Sequence, residues 1–171
     1  MKIVFWGIIV LIAITASIGV IGFFLPEEKS ASGEYVYDFS TEVVWNKMRD
    51  LEGQKAWRKN LESIDILDNS LGKELWIENL KSGARIKLRT TFYIDKKAWG
   101  MQTYDSSILV YWKGELESLD KQKTLIKFHY DSKISNPFMR LMSQFFLNLQ
   151  EMIQTYNLEL QNALNEGNLR K

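Results

Sequence analysis

A chain of 171 residues carrying 22 basic and 21 acidic side chains has a net charge of +1, which gives no electrostatic case for nucleic acid and room for one domain plus an appendage. With no cysteine, disulfides, thiolate chemistry and a lipid-modified cysteine are excluded, and a single histidine without cysteine argues against a zinc site. Aromatic residues make up 13% of the chain and six are tryptophans, so the core is either large or partly hollow.

The run from Ile3 to Leu25 has no charged side chain, and Thr15 and Ser17 are its polar ones. A bilayer core of ~30 Å needs about 20 such residues in a helix. The apolar region of a cleaved signal peptide is shorter, about 7–15 residues, and here apolar residues continue past Ala16 and Ser17 to Leu25. Residues 1–26 are therefore expected to be an uncleaved transmembrane anchor, with Trp6 near one end. Lys29 nearly balances Lys2, which lies with the terminal amine on the other side, and the small remaining preference is for an N-terminus inside, with the domain on the non-cytoplasmic side. Residues 27–33 read as a polar connector that spans about 25 Å when extended. Residues 34–167 then form a domain held close to the membrane.

Glu34 to Phe39 alternates as a first strand. Ser40-Thr41 offers a cap for a short amphipathic helix through Val44, Trp45, Met48 and Leu51, and Gly53 ends it. A second turn carries Trp57, and Leu61 to Leu67 is extended. Glu74 to Leu80 and Ala84 to Asp95 flank Ser82-Gly83 as a hairpin. A two-residue loop pairs Leu80 with Arg85, Glu78 with Lys87 and Trp76 with Arg89. The opposite face then joins Leu75, Ile77 and Asn79 to Thr90, Leu88 and Ile86. Trp99 to Thr103 forms a strand after the Lys96-Lys97 turn. Ile108 to Leu119 and Thr124 to Ile134 make a second hairpin. It pairs Leu116 with Ile126, Trp112 with Tyr130, and Gly114 with Phe128.

From Asn136-Pro137 to Gly167 the pattern predicts one unbroken helix, roughly 45 Å long at ~1.5 Å per residue. Phe138, Leu141, Met142, Phe145, Leu149, Met152, Tyr156, Leu160 and Ala163 recur on one face. Asn136 caps it, Pro137 suits its first turn and Gly167 its stop. The order of elements is strand, two short helices, six strands and one long helix. That predicts an α+β fold, a curved antiparallel sheet of about seven strands around the last helix.

Val44-Trp45-Asn46-Lys47-Met48-Arg49-Asp50, then Trp57 and the strand at Leu61 to Leu67, resemble the START-like helix-grip superfamily. Trp112-Lys113-Gly114-Glu115-Leu116, leading through a turn to Thr124 and the last helix, is the second match. This superfamily includes lipid-transfer domains, polyketide cyclases and coenzyme Q-binding proteins, and the resemblance covers about residues 34–166. It implies an apolar ligand held between sheet and helix. The chain departs from the commoner members by its anchor. It also departs by lacking the histidine and buried acid pairs of enzymatic ones, which weighs against a cyclase or hydrolase role.

No nucleotide loop, nucleophile elbow or calcium loop occurs, so no cofactor, metal or catalytic residue is expected. His129 alternates outward, between Lys127 and Asp131. The candidate pocket wall is Tyr37, Thr90, Phe92, Trp99, Thr103, Trp112, Phe128 and Tyr130 from the sheet, with Met142, Phe145 and Leu149 from the helix. Asp105 and Asn79 are further inward candidates. The same residues also fit a filled core with inter-strand hydroxyl bonds. The leading expectation is a membrane-tethered domain that binds a lipid-like or other hydrophobic small molecule. The alternatives are a START-like enzyme of the cyclase kind and a non-catalytic interaction domain with a filled core.

Overall fold

A computed structural model describes residues 4–7 and 20–169. Most of the expected transmembrane span lies outside the described residues, and no described helix is long and apolar enough to cross a membrane. The folded domain follows the expected order. Strand β1 (Glu28–Tyr37) leads to helix α1 (Thr41–Arg49) and a 3₁₀ turn (Glu52–Ala56). Six strands follow: β2 (Leu61–Asp68), β3 (Leu75–Leu80), β4 (Arg85–Ile94), β5 (Ala98–Thr103), β6 (Leu109–Asp120) and β7 (Lys123–Lys133). Helices α2 (Pro137–Phe146) and α3 (Leu149–Leu169) close the chain. All strands join one antiparallel sheet in the order β1-β7-β6-β5-β4-β3-β2. Successive hairpins explain that order, because neighbours in sequence pair in space.

β1 begins six residues earlier than the alternation predicts. Glu28 pairs with Lys133 and Gly33 with Phe128, so most of the expected connector is strand. The small residues Ser30, Ala31, Ser32 and Gly33 carry little strand propensity, but the ladder to β7 recruits them. The domain therefore starts immediately after Pro26-Glu27.

The β6–β7 register is the expected one, with Leu116 opposite Ile126, Trp112 opposite Tyr130 and Gly114 opposite Phe128. The β3–β4 register is not. Trp76 pairs with Leu88 and Glu78 with Ile86, one position from expectation. The loop has three residues, because Leu80 N donates to Ala84 O and Gly83 N to Leu80 O. Gly83 takes φ +84°, open to glycine without strain. A one-residue slip exchanges the faces of β3. Trp76 and Glu78 point inward and are buried, while Asn79 lies outside, donating to Ser63 and Asp65.

The last helix is two helices. Asn136 caps α2 as expected, its side chain accepting from Met139 N. Leu147 then takes an extended conformation that ends α2. Asn148 restarts the helix, with Oδ1 accepting from Glu151 N at 3.1 Å and Nδ2 donating to Glu151 Oε2 at 3.3 Å. The Asn148 side chain thus caps the first turn of α3 and is itself held by the Glu151 carboxylate. α3 lies along the sheet, burying Leu149, Ile153, Tyr156, Leu160, Ala163 and Leu164. Gly167 lies inside α3 rather than ending it.

Candidate functional site

The inner face of the sheet is divided. Towards α1, linked rings fill the core: Trp76 to Trp99 at 6.0 Å, Trp99 to Trp112 at 5.3 Å and Trp112 to Phe128 at 5.8 Å between centroids. Val44, Trp45 and Met48 of α1 are buried in the same cluster. Towards the α2–α3 junction the packing opens into a cavity of about 510 Å³. Its apolar wall comes from Leu88, Met101, Val110 and Trp112 of the sheet, Phe146 and Leu147 at the junction, and Met152 and Tyr156 of α3. That volume lies within the range of small-molecule sites.

One ion pair is set into this wall. Arg58 donates to Glu78 through both terminal nitrogens, Nη1 to Oε1 at 2.5 Å and Nη2 to Oε2 at 2.8 Å, and Nη1 also donates to Gln54. Burial opposes the charge on Arg58, but the Glu78 carboxylate outweighs it and raises the guanidinium further above its ordinary range. Burial pushes the phenols of Tyr130 and Tyr156 well above theirs, against the pull of Arg58, so both stay protonated. Among the described residues Trp112 Nε1 and Tyr156 Oη are buried without partners. The wall thus carries hydrogen-bonding capacity that the protein leaves unused.

Of the residues expected in a pocket, the structure brings Thr103, Trp112 and Tyr130 to this wall. The Thr103 hydroxyl is already committed, donating to Ile108 O and accepting from Val110 N. Tyr37, Thr90, Trp99, Phe128 and Leu149 lie in the filled part. There Tyr37 donates to Asn157 Oδ1 at 2.6 Å and Trp99 Nε1 donates to Thr90. Phe92 points outward because the β4–β5 ladder is irregular between Thr90 and Phe92, which reverses the alternation and turns Tyr93 towards the core. Phe145 is exposed and Met142 half-buried on α2, away from the wall, because the helix breaks between them and α3. Asp105 stands in water beside Lys87.

Sequence reasoning missed Arg58, Glu78 and the sheet residues Leu88, Met101 and Val110. A buried acid in β3 was hidden by the register: with one residue fewer in the loop, Glu78 pairs plausibly with Lys87 outside. A second carboxylate, Glu74, is buried against Arg49. The domain thus does hold buried acids, each matched to an arginine rather than to another acid. His129 faces outward, its Nε2 2.9 Å from Asp131 Oδ2. No group of side chains among the described residues is arranged to hold a metal ion.

No protein-family model matches the sequence, and no curated protein matches it. Solved structures do match in fold. Norcoclaurine synthase from Thalictrum flavum, a point mutant in complex with a transition-state analogue, has a TM-score of 0.67 at 10% identity over 82% of this chain and 96% of that one. The Zhui aromatase/cyclase from Streptomyces sp. R1128 gives 0.63 at 13% identity over 84% and 95%. A START superfamily protein from Mycobacterium smegmatis gives 0.62 at 10% identity over 80% and 97%. The fold is therefore the START-like helix-grip fold, with its seven-stranded antiparallel sheet and long C-terminal helix. At these identities the likeness is one of architecture.

Proposed function

We propose that this protein is a membrane-tethered binding domain for a hydrophobic small molecule that carries one polar group. The observation that carries the reading is the cavity of about 510 Å³ between sheet and α3, with an apolar wall and one inset ion pair. An apolar body would occupy the space beside Leu88, Met101 and Val110. A polar end would lie near Arg58, Glu78 and Tyr130. The filled aromatic half of the core supplies rigidity rather than volume.

Tethering rests on the uncharged run from Ile3 to Leu25 and on a domain that starts directly after it, at Glu28. Retention of the full chain in membranes washed with alkaline carbonate is expected. Release, or a mature N-terminus after Ser17, would rule the anchor out.

A cyclase reading draws support from the fold shared with norcoclaurine synthase and the Zhui aromatase/cyclase. Proton transfer needs a group that titrates near the working pH. The phenols of Tyr130 and Tyr156 are displaced far from it, and Glu78 is tied to Arg58 at both oxygens. What favours binding over turnover is the apolar wall, in which the buried Glu78 is already paired with Arg58. The test is titration of the detergent-solubilised chain with fluorescent fatty acid and quinone analogues. Saturable binding is expected, and Met101→Trp or Val110→Trp should abolish it while leaving the melting temperature nearly unchanged. Absence of binding across chain lengths, with both variants destabilised, would favour a filled interaction domain.

A further inference from the structure

Helix α2 presents to solvent the face that an amphipathic helix ordinarily buries. Phe138, Phe145 and Phe146 are 52%, 74% and 78% exposed, and Leu141 and Met142 between them are half-exposed. Its one charged residue, Arg140, is turned inward and buried. α2 also packs only sparsely on the sheet. Uncharged aromatic surface of this kind marks a contact site.

The place of α2 in the fold says what covers it. β1 starts and β7 ends at the paired residues Glu28 and Lys133. The N-terminal segment therefore enters, and α2 leaves, at the same end of the sheet. Arg140 fastens the two together. Its Nη1 lies 3.4 Å from the carbonyl oxygens of Phe23 and Leu25, its Nη2 pairs with Glu27, and its Nε donates to Ile134 O at 2.8 Å. Gly22 meets Pro137 so closely that a Cβ there would sit 2.0 Å from the Pro137 carbonyl oxygen. The helical residues 20–24, which meet α2 through Gly22, also expose Val20, Ile21, Phe23 and Phe24.

We infer that α2 is a membrane-contact helix, its Phe138, Phe145 and Phe146 seated in the headgroup–acyl boundary of the bilayer that the N-terminal segment enters. This rests on the anchor proposed above. Phenylalanine and leucine on one face of a short helix suit a depth of about 5–10 Å in that boundary. Phe146 and Leu147 also belong to the cavity wall, so the α2–α3 junction sets the cavity beside the lipid surface. A hydrophobic ligand leaving the bilayer there would avoid bulk water.

The natural absence of cysteine makes the test direct. Phe138→Cys, Phe145→Cys and Lys121→Cys are made in the full chain, each labelled with an environment-sensitive nitrobenzoxadiazole dye and reconstituted in phosphatidylcholine–phosphatidylglycerol vesicles. Lys121 lies at the β6–β7 turn, the opposite end of β7 from α2. The expected result is blue-shifted emission at 138 and 145, quenched more by nitroxide near the lipid carbonyl than by nitroxide deep in the chain. The label at 121 should stay water-like and unquenched. Carbonate release of the chain would overturn the anchor and this proposal with it. Retention in the vesicles with water-like emission at 138 and 145 would overturn this proposal alone. Emission that is insensitive to lipid nitroxide but shifts with protein concentration would assign the face to a second copy of the chain, and would also overturn it.

Discussion

Arg58 and Glu78 form a pair whose value depends on both partners being present. Removing water from two charges is costly, and their mutual attraction with good geometry roughly offsets that cost. Glu78→Gln should therefore destabilise by about 3–5 kcal/mol, by leaving a buried guanidinium uncompensated, whereas Arg58→Met with Glu78→Leu should be close to neutral or stabilising. Urea denaturation of the three proteins measures this, and a double variant as unstable as the single one would refute it. Glu74 carries a pH signature. Burial opposes its ionisation, but hydrogen bonding from Thr90, the Gly72 amide and Arg49 prevails and holds its carboxyl below the ordinary range. A carboxyl depressed in the folded state adds stability that is complete above its unfolded value and is lost as pH falls through its folded one. Urea midpoints should decline below about pH 4, and Glu74→Gln should flatten that decline. At Gly114 an added Cβ would meet the Trp112 ring at 3.0 Å and the Met48 methyl at 3.2 Å. Gly114→Val should cost ~1–3 kcal/mol by overpacking. His129→Ala, on the outer face, should stay within about ±0.5 kcal/mol.

The break between α2 and α3 is set by Asn148. Its side chain satisfies the Glu151 amide while Glu151 answers, so Asn148→Ala should cost about 1 kcal/mol, read as a lower urea midpoint. An unchanged midpoint would mean that tertiary contacts alone hold the break. β1 makes a second prediction at this level. A chain beginning at Ser32 loses the pairings from Glu28–Lys133 to Ala31–Tyr130. It should melt well below one beginning at Pro26, which keeps the whole ladder.

For the molecule as a whole, the cavity is a stability deficit that a ligand can repair. Apolar walls facing empty or wet space forgo dispersion contacts that a packed core would make. A ligand binding only the native state adds about 2.7 kcal/mol at one hundred times its Kd. For a domain of this size that corresponds to a rise of roughly 5–10 °C in melting temperature. A calorimetric scan with a fluorescent fatty acid at saturation checks it. Met101→Trp should remove the shift while keeping the ligand-free melting temperature, because the indole occupies the same space. If α2 rests on lipid, the chain in vesicles should show the same ligand shift, with the cavity still open at the α2–α3 junction.

The amino-acid sequence by itself determined the α+β class, the order of elements, the antiparallel β6–β7 pairing, the outward His129 and the Asn136 cap. Each of these rests on local chemistry: alternation, turn residues and capping residues act within a few positions of one another. The Asn148 cap was also local and legible, but the apolar spacing from Phe138 through Leu149 to Tyr156 runs through it without a gap and suggests one helix. Periodicity reports that residues share a face; it does not report what that face meets. Only the tertiary structure decided that the face divides, with Leu149, Ile153 and Tyr156 buried on the sheet and Phe138 and Phe145 left uncovered by the rest of the domain. It also decided the three-residue loop at Gly83 that turned Glu78 inward, and the ladder that drew Ser30 to Gly33 into β1. The cavity depends on the first two, since β3 and the α2–α3 junction both line it. Its volume is the difference between what the sheet encloses and what the side chains fill, a quantity set by long-range packing rather than by any stretch of the chain.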